Sequence, residues 1–166
     1  MKKIIIALVM FAGISSANAQ AFGDGTSVIE AGVGFGGTFG MPIALGFEYG
    51  ISEKIGIGLT AAYASKTEAF AGFGDVKYTY MLVGLKGNYH FYTTDVIDVY
   101  GGIILGYNSA KATYPQNMGL FQPSVASGAV YGGQIGGRYY FTDSIGAFAE
   151  LGYGIANFNV GLVFKF

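Results

Sequence analysis

Ionisable residues are sparse in this 166-residue chain, and eight of them stand where chemistry could be done: Glu30, Glu48, Lys86, His90, Asp98, Arg138, Glu150 and Lys165. Each is flanked by apolar or small residues, so each is a charge set into an otherwise greasy segment. Gathered away from water, such groups could relay protons, line a narrow solute path or form a catalytic cluster. The simpler outcome is mutual pairing, because a buried charge without a partner is expensive. Acyl chemistry would need a histidine beside a serine and an acid. The only histidine, His90, is expected to face inward at the end away from the longer loops, which leaves it a hydrogen-bonding residue. No catalytic residue is therefore assigned. No cofactor and no metal is expected either, since Asp and Glu do not fall at ligand spacing on the loops. The Gly32-Val33-Gly34 and Gly34-Phe35-Gly36 spacings precede no helix, which argues against a phosphate loop.

What must position these charges is an alternation, clearest in 158–166, FNVGLVFKF. Phe158, Val160, Leu162, Phe164 and Phe166 share one side of a strand; Asn159, Gly161, Val163 and Lys165 share the other. An apolar face set against a polar or small one, closing on a phenylalanine, is the pattern of a barrel strand with lipid outside and a lumen inside. Carried backwards, the same two-residue register predicts strands over 27–37, 41–50, 55–65, 76–91, 97–109, 128–141 and 145–155. It turns Ile29, Leu45, Leu59, Leu85, Leu105, Ile135 and Leu151 outward. It turns all eight charges inward, with Lys54 at a turn as a further partner. No charge falls outward within a predicted crossing, consistent with the cost of about 2–4 kcal/mol for Lys or Arg at a bilayer midplane. Lys77 and Thr79, on the outer side of the fourth strand, are expected to project above the bilayer.

Composition agrees. The chain is 52% hydrophobic and 11% charged, with mean hydropathy +0.45, whereas an ordinary soluble domain carries about 25% charged residues. Past the N-terminus no apolar run reaches the roughly 18 residues of a membrane helix. Twenty-nine glycines supply slim inward positions, and 13 tyrosines and 14 phenylalanines supply interfacial girdles. Residues 1–19 read as a secretory signal, with Lys2 and Lys3, an apolar core from Ile4 to Ile14, and Ala17-Asn18-Ala19 before the cut. The expected organisation is a signal peptide over 1–19, cleaved after Ala19, and a barrel domain over 20–166. Losing two lysines takes the formal charge from −1 to −3, which disfavours nucleic acid as a partner. Without a cysteine there is neither a lipid attachment site nor a disulfide.

Three segments repeat one design: GFEYGISEKIGIGLTAAY, GNYHFYTTDVIDVYGGIILGY and GRYYFTDSIGAFAELGY. Each sets glycine and aromatics before a Ser, Thr or Asp turn and then climbs to a tyrosine. Three short turns alternating with four longer connections suit eight up-and-down strands, with both termini on the short-turn, periplasmic side. Two connections are expected to be polar loops, 66–75 with Glu68, Phe70, Phe73 and Asp75, and 111–127 with Pro115, Pro123 and the Met118 to Phe121 segment. A loop as long as the second suits a partner or a mobile role.

GGRYYFTDSIGAFAELGYG followed by NVGLVFKF resembles the small eight-stranded outer-membrane β-barrel proteins of the OmpA, OmpX and OmpW type, especially barrel-domain proteins common in Bacteroidota. The resemblance implies that Phe158, Val160, Leu162, Phe164 and Phe166 are the signal read by the outer-membrane insertion machinery. The expected fold is all-β, an eight-stranded antiparallel up-and-down transmembrane β-barrel in the cell outer membrane of a Gram-negative bacterium. Expected partners are outer-membrane lipid, the insertion machinery and an extracellular partner reached through 111–127, with the protein itself a monomer. The expected role is structural or surface-interacting, with the lumen plugged by paired charges. The alternatives are a narrow OmpW-like channel for small or hydrophobic solutes and, further off, a lipid A-modifying enzyme.

Overall fold

The computed structural model describes residues 20–37, 40–70, 74–114 and 125–166. The 1–19 signal, Phe73 and the Met118 to Phe121 segment lie outside them. Eight strands occur among the described residues: β1 (Ser27–Phe35), β2 (Ile43–Gly50), β3 (Ile55–Phe70), β4 (Gly74–Thr93), β5 (Ile97–Thr113), β6 (Gly128–Tyr140), β7 (Ile145–Tyr153) and β8 (Phe158–Lys165). They form one closed antiparallel barrel in chain order. The seam runs β1 to β8, from Val28 opposite Lys165 to Phe35 opposite Phe158. Closure leaves no unpaired sheet edge at the seam, the condition for a sheet in lipid.

Alternation sets the two faces. On β4, Leu85 is 63% exposed and its neighbour Lys86 only 6%, an arrangement that no soluble sheet would choose. Leu45, Leu59, Leu105, Ile135, Leu151 and Leu162 are exposed in the same way, forming an apolar belt. The three short turns share one device. Ser52 Oγ accepts the N–H groups of Lys54 and Ile55. Thr94 Oγ1 does so for Val96 and Ile97, and Thr142 Oγ1 for Ser144 and Ile145. A hydroxyl at the first turn position satisfies donors that the ladder leaves behind.

Several strand ends differ from the sequence expectation, β2 starting at Ile43 and β4 running on to Thr93 among them. The 66–75 loop is instead mostly ladder: β3 and β4 stay paired from Lys66 opposite Tyr78 up to Phe70 opposite Gly74. Polar side chains do not stop a strand when both faces meet water, and Lys66 bonds Glu68 at 2.6 Å. On β5, pairing continues through Thr113, so the connection expected over 111–127 starts later. The first strand ends at Phe35, where Gly36 and Gly37 take φ values of 71° and 82°. The seventh ends at Tyr153, because Gly154 at φ 131° redirects the chain. Ile155, expected at the strand end, turns in beside Ala62, Leu82 and Ile104 as a small apolar cluster.

Sequence reading also missed the stretch before β1. Residues 20–26 fold across the short-turn end: Ala21 donates its N–H to Thr94 O and Gly25 to Gly50 O. Ala21 and Phe22 are fully buried there.

Candidate functional site

Arg138 of β6 crosses the lumen and meets three carboxylates from three other strands. Its Nε donates to Glu30 Oε1 at 2.8 Å, its Nη1 to Asp98 Oδ2 at 3.0 Å, and its Nη2 to Glu48 Oε2. The guanidinium also lies 4.4 Å from the Tyr100 ring centre. A planar fork with five donors can serve several acids at once; an ammonium could not. Lys86 of β4 pairs with Glu30 and reaches Glu48 at 3.8 Å. His90, four residues along β4, places Nδ1 2.7 Å from Asp98 Oδ1 and Nε2 3.1 Å from Glu48 Oε1.

Neutral groups complete the layer. Asn88 donates to Glu48 Oε1 at 2.9 Å and accepts from Gln134 at 3.1 Å. Tyr100 donates its hydroxyl to Glu150 at 2.9 Å, and Thr93 to Asp98 at 3.3 Å. The inward glycines leave the room. At Gly136 a Cβ would stand 2.8 Å from Glu150 Cγ and 2.9 Å from the Tyr100 ring, and at Gly56 it would collide with Glu48 Oε1. Large charged side chains fit an eight-stranded lumen only where facing positions are bare.

Six strands thus bring Glu30, Glu48, Lys86, His90, Asp98, Arg138 and Glu150 into one buried layer. Two expected members behave otherwise. Lys165 is buried, yet its Nζ donates to Gln20 O at 2.7 Å and lies 5.0 Å from the Tyr140 ring centre. It pairs with no carboxylate among the described residues, because the 20–26 segment intervenes at that end. Lys54 stays exposed on its turn and contributes only its carbonyl, which accepts the His90 N–H at 2.8 Å. Glu150 faces inward as expected, but its bond is to Tyr100 and not to a base.

Phe22 was invisible as a site residue. Its ring stacks on His90 with centroids 3.4 Å apart and planes 6° from parallel, which covers the imidazole from the short-turn end. The signal, in retrospect, was the apolar Ala21-Phe22 pair beside a predicted lumen mouth. With both nitrogens engaged and one face covered, His90 offers no free position for general-base work. On the loop side of the layer, a cavity of about 30 Å³ lies between the charges and Ile155, room for a water or two. A second cavity of about 200 Å³ notches the rim between β6 and the turn after β7, lined by Val130, Tyr131, Tyr153, Ile155 and Asn157 among others. The outward row Phe158, Leu162 and Phe164 is exposed, with Val160 and Phe166 half-buried beside it.

No family model and no curated protein sequence matches the chain. Solved structures do. The outer membrane protein OprG from Pseudomonas aeruginosa superposes with a TM-score of 0.68 at 15% identity, over 87% of this chain and 97% of that one. The N-terminal β-barrel domain of Pseudomonas aeruginosa OprF gives 0.57 at 18%, over 87% and 100%. Ail, the attachment invasion locus protein of Yersinia pestis, gives 0.53 at 16%, over 86% and 99%; it has also been crystallised with the heparin analogue sucrose octasulfate. The fold is that of the small eight-stranded outer-membrane β-barrels.

Proposed function

We propose that this chain is an integral protein of a bacterial outer membrane, with a closed lumen and a structural or surface-interacting role. The observation that carries the reading is Arg138 held by Glu30, Glu48 and Asp98, with Phe22 seated behind the layer. Charges that satisfy one another across the lumen leave no ion-sized path between them, whereas a channel keeps its charges hydrated. The apolar belt supports residence in lipid, and in this reading the short turns and the 20–26 segment face the periplasm. Phe158, Val160, Leu162, Phe164 and Phe166 then serve as the recognition signal for the insertion machinery, after removal of 1–19. Contacts with other molecules fall to the longer loops, 111–127 foremost, a use in keeping with a fold that Ail shares.

The alternative, a conduit for small or hydrophobic solutes, draws on the rim notch of about 200 Å³, but none of the charged layer lines that notch, and Ile155 stands at its inner end. A lipid-modifying enzyme finds no support in the position of His90. Planar-bilayer recording of the purified protein is expected to show no discrete openings. Openings abolished by Arg138→Ala or Glu150→Ala would overturn the closed-lumen reading in favour of the conduit.

A further inference from the structure

Across the eight strands, the only charged residues in outward register are Asp75 and Lys77 of β4 and Lys111 of β5. All three lie on one side of the barrel, past the loop-side end of the apolar belt. The register arranges their neighbours in rows. Ser65, Thr79 and Lys111 stand opposite one another on β3, β4 and β5; the next row out holds Thr67, Lys77 and Thr113. Each row holds one ammonium and two hydroxyls, Lys77 between Thr67 and Thr113 and Lys111 beside Thr79, with adjacent side chains about 5 Å apart. Below them come Tyr63, Met81 and Ser109, then Ala61, Val83 and Tyr107. One column therefore passes from apolar, through a tyrosine-bearing border, to cationic and hydroxylic.

Neither Lys77 nor Lys111 is paired with a carboxylate among the described residues. Lys66, facing the lumen mouth, is taken by Glu68 at 2.6 Å, while Lys77 and Lys111 have no acid within ion-pair distance among the described residues, Asp75 in the row above included. Lys77 lies four residues beyond Met81, and Lys111 four beyond Tyr107. At about 3.4 Å per residue and a tilt of about 40°, both sit roughly 10 Å farther along the membrane normal. If the tyrosines mark the hydrocarbon border, that is headgroup depth.

We infer that the outward face of β3, β4 and β5 is a docking surface for a phosphorylated lipid of the outer leaflet. Its phosphate lies against Lys77 and Lys111 and the flanking hydroxyls, and its acyl chains lie along Ala61, Val83, Leu85 and Leu105. The occupant follows from charge complementarity and from continuity with the lipid-facing belt: the two ammonium groups are unspent at the depth where lipid phosphates lie. This rests on the outer-membrane reading proposed above.

The test uses the full barrel in phosphatidylcholine nanodiscs containing lipid A, a phosphorylated and multiply acylated glycolipid, or its dephosphorylated form, with retained glycolipid read by native mass spectrometry. Retention is expected to favour the phosphorylated form. It should fall about fivefold for Lys77→Gln or Lys111→Gln and about twenty-five-fold for both, should weaken with added salt, and should persist in a Lys77→Arg/Lys111→Arg protein. Millimolar inorganic phosphate is expected not to compete. Equal retention of the two glycolipids, an unchanged double glutamine variant, or displacement by inorganic phosphate would each overturn the inference while leaving the outer-membrane reading intact. A barrel that fails to enter the nanodisc would remove both.

Discussion

At the scale of single residues, Arg138 is the group whose loss reaches farthest. Its guanidinium is fully buried and answers three carboxylates. Truncation to alanine leaves Glu30, Glu48 and Asp98 repelling one another in a poorly solvated space. Arg138→Ala is expected to destabilise the folded barrel by about 3–5 kcal/mol, read as a lowered urea midpoint of heat-modifiable gel mobility in lipid. Arg138→Lys should recover only part of the loss, since one ammonium cannot reproduce the fork. Gly56→Ala tests the opposite error, excess volume. The new methyl would press on Glu48, which His90, Asn88 and Arg138 hold in place, and the expected penalty is about 1–3 kcal/mol. A stability unchanged by Gly56→Ala would mean that Glu48 moves freely, contrary to its bonds.

At the scale of elements, alternation along each strand sets what is tolerated. Leu59 of β3 faces out of the barrel and Thr60 faces in. Leu59→Arg is expected to cost about 2–4 kcal/mol in a bilayer and far less in detergent micelles, where the arginine reaches water. Equal effects in both media would argue that this face does not meet lipid. The 20–26 segment is a separate element with its own signature. Phe22 covers the only histidine of the chain, so diethylpyrocarbonate should modify His90 slowly in the intact protein. Phe22→Ala should raise that modification severalfold, measured by peptide mass spectrometry, with the barrel still folded. A histidine equally reactive in both proteins would show that the segment does not seat in solution.

At the scale of the molecule, the layers stack from the short-turn end upward: Phe22 and its neighbours, the charged network, a small cavity, then the Ile155 cluster. Each layer draws its residues from several strands, so the lumen is filled by side chains of the barrel wall together with the 20–26 segment. Passage of ions would require several of these layers to open together. That is why silence in bilayer recordings is expected to survive Phe22→Ala, which removes one layer only.

Much of this was legible along the chain, because strand alternation is a local property with a period of two: inward and outward faces of FNVGLVFKF or of Leu85-Lys86 follow from neighbours in sequence alone. The membership of Glu30, Glu48, Lys86, His90, Asp98, Arg138 and Glu150 in one interior followed as well. Their pairing did not, since which acid meets which base depends on the stagger between strands, and residues 108 positions apart such as Glu30 and Arg138 become neighbours only on closure. Closure likewise brought Phe22 onto His90 and drew Lys165 to Gln20. Strand length was misjudged at 66–75 for a related reason: a polar run reads as loop locally, but cross-strand partners on β4 keep it extended. Sequence, being local, settled the faces of the strands. The fold, by joining distant strands into a ring, chose the partners.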